Sequence, residues 1–179
     1  MGSGTSGLYS GTVGDTTSEA SAEDIIALRV VGFDLREHPI GQVQLSGKAK
    51  KVLSQKVVTR TATKEEYKRL QWDRRFSNRR KTGIKLFWKQ ERRRLLRGES
   101  GTRNWSPEQR EAIISKKPVQ FNGVTLQAHH TYSAALYPHL ANKGEVIYPA
   151  TSREHRESWH GGSYKKSMPG KRIRRMSEF

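Results

Sequence analysis

The sequence predicts an α+β fold in which a basic, mainly helical part precedes a small core of strands and a final short helix. Helix-start signals recur through the first two thirds of the chain, whereas the last third carries short apolar runs separated by turn residues. Five of the six histidines fall in that last third. We therefore expect residues 1–20 to be a disordered linker, residues 21–105 a basic helical region and residues 106–179 the core.

The charge of the chain is large and unevenly distributed. Its formal net charge is +17, and residues 47–119 alone carry 23 basic and 7 acidic side chains. Such a block predicts a polyanionic partner, with nucleic acid first and an anionic membrane second. The chain has no cysteine, so a metal ion would need His, Asp or Glu ligands. No apolar run approaches the ~18 residues of a membrane span. No signal peptide is visible either, so if the chain crosses a membrane we expect something outside this sequence to deliver it.

Local signals divide the basic region into helices. Residues 21–46 fit a helix capped at Ser21 or a strand equally well, and both interpretations stay open. Residues 47–60 suit a short basic helix.

A longer helical stretch follows, which we expect a turn to divide. The capping box at Thr63 predicts a helix to about Asn78, Gly83 permits a turn, and Ile84–Leu96 suits a second helix that ends before Gly98. The basic side chains of this stretch are predicted to bind nucleic acid; they are Arg74, Arg75, Arg79, Arg80, Lys85, Lys89, Arg92 and Arg93.

Two sharp turn signals lead into the last third of the chain. Ser106 before Pro107 predicts a helix that runs to about Ser115, because serine suits the N-cap and proline the first helical position. The pair Asn122–Gly123 between short apolar runs predicts a type I′ hairpin. Its second arm leads directly into two adjacent histidines.

The histidines are arranged as a metal site would require. His129 and His130 end the hairpin's second arm, and His155 and His160 lie on a predicted helix after the predicted strand 146–149. Neutral imidazole binds zinc and similar divalent ions, and it can also take a proton from water near pH 7. Neighbouring side chains of a strand point to opposite faces. One histidine of the pair can therefore face a metal ion while the other faces a substrate.

These residues resemble a known family. The runs 129–133, 137–142 and 159–162 are similar to the ββα-metal (His-Me finger) fold of HNH/endonuclease VII-superfamily nucleases. More narrowly, they resemble the toxin domains of bacterial polymorphic toxins that carry a Gly-His-His signature. Ala128 stands where that subgroup usually has glycine, so the neighbouring Ala-His-His class fits as well.

The resemblance implies roles for individual residues. His130 would be the general base that activates water. Asn142 would be the middle residue of the HNH triad, with side-chain hydrogen bonds that tie down its loop and orient His130. One divalent metal ion (zinc, magnesium, manganese or nickel) would be bound by His129, His155 and His160.

The spacing of the last two ligands departs from the pattern of the family. His160 lies five positions after His155, which on an ideal α-helix turns its side chain by about 140° from that of His155. We therefore expect His160 to lie at or past the end of its helix. His139, in the loop between the strands, ranks below the other three as a ligand.

The resemblance also implies a function. It predicts a metal-dependent, largely sequence-nonspecific DNA endonuclease that acts as the C-terminal domain of a secreted toxin, in the cytoplasm of a target cell. An acidic immunity protein would protect the producing cell. Two alternatives stay open: the same scaffold acting on RNA, and a non-catalytic basic module that binds nucleic acid and has an incidental histidine cluster.

Overall fold

The computed structural model describes residues 20–179, so the predicted linker lies outside the described residues except for Ala20. The helices come first: α1 (Ala22–Arg29), α2 (Gly47–Val58), α3 (Lys64–Leu96) and α4 (Pro107–Ile114). Two short antiparallel strand pairs follow, β1 (Gln120–Phe121) with β2 (Val124–Thr125) and β3 (Gln127–His130) with β4 (Ile147–Ala150). A π-helix, Glu154–Trp159, comes after β4. The predicted α+β fold is confirmed. No helix within residues 20–179 is long and apolar enough to cross a membrane.

The undecided segment after residue 20 begins as a helix. Ser21 and Asp24 form a capping box, in which the Asp24 amide donates to Ser21 Oγ at 3.2 Å and the Ser21 amide donates to Asp24 Oδ2 at 3.2 Å. Ile26 on α1 is 1% exposed and packs in the main core. The helix expected over residues 47–60 is confirmed as α2.

The predicted turn at Gly83 is wrong, because α3 runs without a break for 33 residues. Gly83 is buried inside the helix, and a Cβ built on it would lie 2.5 Å from the carbonyl oxygen of Ala141. The glycine therefore lets the loop between β3 and β4 approach the helix backbone. By contrast, Gly98 follows the end of α3 with φ +76°, as expected of a C-terminal cap.

The signals near residues 106 and 122 are confirmed. The Gln109 amide donates to Ser106 Oγ at 3.2 Å and begins α4, whose C-cap is Ser115. Asn122 and Gly123 have φ of 48° and 77°, the two positive values that a type I′ turn requires. Leu126 then joins β2 to β3, so the hairpin delivers the histidine pair.

Helix α3 contributes buried side chains to two apolar clusters of the core. Its Phe87 is fully buried against Val146, Ile147 and Trp159, which come from the β4 side of the molecule. Towards its C-terminal end, α3 meets a second apolar cluster made of Leu95, Trp105, Ile113, Val119 and Leu126. Strands β3 and β4 therefore pack beside the middle of one long helix.

Candidate active site

Strand pairing fixes the directions of the two adjacent histidines. In the register of β3 and β4, His129 lies opposite Tyr148 and His130 opposite Ile147. The His129 ring is 4.9 Å from the ring of Trp159, measured between centroids, and so faces the π-helix. The His130 ring turns the other way, towards Ala141. The predicted division of the pair between two faces of the strand is confirmed.

The π-helix brings His155 and His160 together. A π-helix has i→i+5 hydrogen bonds, so it turns more slowly than an α-helix and places residues five apart near one another. His155 Nε2 and His160 Nε2 are 3.2 Å apart. His160 is the C-cap of this helix, which confirms its expected place at the helix end. The π-helix therefore brings two histidines five positions apart as close as an α-helix would bring two histidines four positions apart.

A buried ion pair fixes the start of the π-helix. Both terminal guanidinium nitrogens of Arg103 donate to the Glu154 carboxylate, at 2.6 and 2.8 Å, and both side chains are almost completely buried. The same carboxylate accepts the Thr151 amide at 2.9 Å. This pair was not predicted, since an isolated arginine and glutamate 51 residues apart give no local signal in the sequence.

Hydrogen bonds set the tautomers of two of these histidines. His155 Nδ1 bonds to Gln127 Oε1, and His160 Nδ1 bonds to the Lys166 carbonyl oxygen at 2.6 Å. Because these oxygens only accept, each neutral ring carries its proton on Nδ1 and presents a lone pair at Nε2. Two lone pairs that face each other at 3.2 Å repel unless a cation lies between them.

His129 completes the group. One ring nitrogen from each of His129, His155 and His160 lies within 4.8 Å of the others. His129 Nε2 is buried and has no hydrogen-bond partner among residues 20–179. Burial lowers the pKa of His129 well below its usual value and that of His155 to about 4, so both rings are neutral at pH 7. Neutral imidazoles around an unsatisfied buried nitrogen fit a divalent metal ion.

His130 is held apart from this group. Its Nε2 bonds to the Ala141 carbonyl oxygen at 3.0 Å, so Nε2 carries the proton and Nδ1 the lone pair. Burial lowers its pKa to about 4, against the opposing effect of this hydrogen bond and with a further contribution from the nearby positive charge of Arg80. Nδ1 makes no hydrogen bond to any described residue.

The Asn142 side chain makes no hydrogen bond to His130 among the described residues, so only its predicted role of tying down the loop agrees with the structure. Its Oδ1 accepts from Arg79 at 3.1 Å, so it ties the loop to α3, and the backbone carbonyl of the preceding residue orients His130 instead. His139, the lowest-ranked ligand, lies outside the three-histidine group and bonds to the Asp34 carbonyl oxygen at 2.7 Å.

The histidines open onto one pocket of about 400 Å³. Both members of the adjacent pair line it, and so do Arg80, Tyr164 and Lys165. The ring of Tyr164 lies 5.4 Å from that of His155 and 5.1 Å from that of His160, measured between centroids. We call this the histidine pocket. It combines a proton acceptor, a candidate metal site and positive charge within reach of one substrate.

Part of the chain matches a known family. Residues 70–151 match the model of a family described as a GHH signature containing HNH/Endo VII superfamily nuclease toxin. Over this range the chain is similar to the nuclease toxin domains of that superfamily. The match begins in α3 and includes the adjacent histidines and Asn142, but it ends before His155 and His160. A search of curated proteins finds no match to the chain. The domain boundary expected near residue 105 stays a prediction.

The residues predicted to bind nucleic acid lie in several different places in the structure. Arg80 lines the histidine pocket, and Arg79 bonds to the loop between β3 and β4. Arg74 and Arg75 are exposed elsewhere on α3. A separate groove of about 710 Å³ is lined by six basic side chains, of which the last two were not predicted from the sequence: Lys85, Lys89, Arg92, Arg93, Lys116 and Lys117. We call it the basic groove.

Proposed function

We propose that this nuclease toxin domain is a metal-dependent, largely sequence-nonspecific DNA endonuclease. His129, His155 and His160 bind one divalent metal ion, and His130 activates the attacking water. The observation that carries the proposal is the convergence of the three histidines around His129 Nε2, which is buried without a partner among the described residues. A polyanionic substrate suits the net charge of +17.

The ligands favour some metals over others. All three are imidazoles, which suit zinc and nickel, whereas magnesium and manganese prefer carboxylate, carbonyl and water oxygens. We therefore rank zinc and nickel above magnesium and manganese. When bound, the ion would stabilise negative charge on the scissile phosphate and the leaving 3′ oxygen. Gln127 and the Lys166 carbonyl would hold two of the ligand rings in their binding tautomer.

His130 has the features of a general base. Its pKa of about 4 keeps the ring neutral at pH 7, and the Ala141 carbonyl keeps the ring proton on Nε2. Nδ1 is then the atom that takes a proton from water as the water oxygen attacks phosphorus and the bond to the 3′ oxygen breaks. The same carbonyl stabilises the imidazolium that results, because it accepts a hydrogen bond from a charged donor.

Substrate binding is assigned to exposed positive charge. The basic groove and the exposed arginines of α3 contact phosphates without reading bases, while Arg80 binds the phosphate next to the histidine pocket. We favour DNA over RNA as the proposed substrate, and the reason is analogy with the fold alone.

The biological setting extends this proposal. The domain acts as the C-terminal part of a larger secreted polymorphic toxin, in the cytoplasm of the target cell, and an acidic immunity protein binds it in the producing cell. The immunity protein covers the basic groove rather than the histidine pocket, since the groove offers six basic side chains above apolar residues such as Val119 and Leu126. Expression in bacteria with and without the neighbouring reading frame tests the toxin and immunity roles. The wild-type chain expressed alone should be toxic.

Chelation tests the catalytic part. Plasmid DNA and total RNA are incubated with the protein in EDTA and after separate addition of zinc, nickel, magnesium or manganese. We expect EDTA to abolish DNA cleavage and zinc or nickel to restore it, with His130→Ala inactive throughout. Cleavage that persists in EDTA would contradict the metal site, and cleavage of RNA alone would contradict the substrate.

A further inference from the structure

A second group of metal-ligating side chains lies outside the histidine pocket. Asp34, His38 and His139 each offer one ligand atom, and these atoms lie within 4.8 Å of one another. We propose that these three side chains form a second divalent-metal site, which fastens the segment before α2 to the loop that orients His130. This inference does not depend on the proposed function of the histidine pocket.

The backbone already brings the ligands together. The His38 amide donates to the Leu136 carbonyl oxygen at 2.8 Å, and the Ile40 amide donates to that of Ala135 at 2.9 Å. His139 Nε2 donates to the Asp34 carbonyl oxygen at 2.7 Å. Little chain entropy would be lost when an ion binds, because both segments are in place without it.

The chemistry of the three side chains suits a zinc-like ion. His38 Nε2 lies 3.0 Å from Asp34 Oδ2, and the rings of His38 and His139 are 4.6 Å apart between centroids and nearly perpendicular. The Nδ1 atom of His139 is buried without a partner in the described part of the chain. Two imidazoles and one carboxylate are a ligand set that zinc takes when water fills its fourth position.

One cation already competes for the carboxylate. Arg36 donates to Asp34 Oδ1 at 2.9 Å and to Oδ2 at 3.0 Å, but the Arg36 side chain is 81% exposed. A divalent ion would have to displace this bidentate but solvent-exposed pair from the Asp34 carboxylate.

An ion here would act on the loop behind His130. His139 lies two residues before Ala141, whose carbonyl oxygen bonds to His130 Nε2. From the other side, Arg79 on α3 donates to the Pro138 carbonyl oxygen at 3.3 Å. A metal ion at Asp34, His38 and His139 would hold this loop on the side opposite α3. Its role would be structural, and it would help to position His130.

Metal counting separates the two sites. The full chain carries His130→Ala, so that a cleavage-deficient protein can be produced, and zinc content is measured after equilibrium dialysis. Three derivatives are compared with it: one with His155→Ala and His160→Ala, one with His38→Ala and His139→Ala, and one with all four changes. We expect two ions in the parent, one in each double variant and none in the last.

Each other outcome has a defined meaning. A parent that binds one ion and loses it with His155 and His160 would overturn the second site and leave the proposed function intact. A parent that binds one ion and loses it with His38 and His139 would support the second site and contradict the metal in the histidine pocket. Two ions that persist after His38→Ala and His139→Ala would also overturn the inference.

Thermal unfolding gives an independent readout. In the protein without His155 and His160, zinc should raise Tm, and Asp34→Asn should remove that rise while keeping the Asp34 carbonyl that His139 contacts. Arg36→Ala is the matched control: it frees the carboxylate, so zinc should bind more tightly. Unchanged or weaker zinc binding in Arg36→Ala would contradict a site that uses Asp34.

Discussion

The histidine pocket and the basic groove are both built on α3, and they use charge in opposite ways. In the pocket, the rings of His130, His155 and His160 are each held by a carbonyl or amide oxygen, and the rings are buried or partly buried. In the groove, charged side chains such as Lys85, Lys89 and Arg93 extend into solvent. The pocket fixes the directions of its histidine rings, and the groove supplies a positive electrostatic potential.

The difference shows how one domain separates chemistry from binding. A general base or a metal ligand must present one lone pair in one direction, which requires burial and hydrogen bonds that set the tautomer. Phosphate contacts need positive charge near a backbone of variable sequence, so long exposed side chains suffice. Changes in the pocket should therefore alter rate or metal affinity, and changes in the groove should alter salt dependence.

The largest effect is expected from His130→Ala. Loss of the general base should slow DNA cleavage by about 10²–10⁴-fold, because the neutral Nδ1 that takes the proton is removed. Metal affinity, measured by calorimetry, should stay close to that of the wild type. His129→Ala and His155→Ala are the controls and should lose metal and activity together. The assignment is reversed if His130→Ala loses the metal and His129→Ala keeps it.

A smaller effect is expected from Gln127→Leu, next to the candidate metal site. The change removes the acceptor for His155 Nδ1–H, so the ring can adopt the wrong tautomer, and metal affinity should fall by about 10–100-fold. Gln127→Glu keeps an acceptor and should bind metal at least as tightly as the wild type. Ser152→Ala controls for the second bond of Gln127, at 3.1 Å. Equal affinity in Gln127→Leu and the wild type would exclude this role.

The sequence was informative where local chemistry decides the structure. The capping box at Thr63 and the Asn122–Gly123 turn follow from contacts within a few residues, so both were predicted correctly. The histidine pair was found because a strand places neighbours on opposite faces. Residues 155 and 160 were suggested by the family resemblance, and the π-helix then brought them close together.

The failures share one cause, which is contact between distant parts of the chain. Gly83 looks like a turn residue, but its role is set by the Ala141 carbonyl that packs against it. The Asn142 side chain was expected at His130, yet Arg79 on α3 takes it. The Arg103–Glu154 pair cannot be recognised in the sequence, because its two residues meet only in the folded structure. Local patterns contain no information on such partners.

Gly83→Ala tests the close approach between α3 and the loop that orients His130 in the pocket. Alanine normally stabilises a helix interior by roughly 0.5–1 kcal/mol over glycine, but here its Cβ would meet the Ala141 carbonyl oxygen at 2.5 Å. We expect a loss of about 1–3 kcal/mol in the free energy of unfolding, measured in urea, and slower cleavage because Ala141 orients His130. Gly47→Ala, at a helical glycine with nothing within 4 Å, is the matched control and should be neutral or slightly stabilising. Equal stability of the two variants would contradict the close approach.

The smallest effect is expected from charge removal in the basic groove. With Lys85, Lys89 and Arg93 replaced by Ala, the log–log slope of DNA affinity against salt should flatten by about 0.9 for each phosphate that the variant no longer binds. Arg92 is left unchanged, because its Nε donates to the Ile114 carbonyl oxygen at 2.8 Å and supports α4. Metal affinity should not change.

The control for this variant removes the same charge elsewhere on α3. Replacing Lys64, Lys68 and Lys81 with Ala takes away three exposed positive side chains that do not line the groove and are not assigned to DNA binding. A binding surface centred on the groove predicts a larger decrease of slope in the groove variant than in this control. Equal decreases would mean that DNA responds to the summed charge of the helix, because long-range attraction depends on net charge and not on which side chains carry it. The groove would then have no separate role, and the immunity protein proposed to cover it would need another surface.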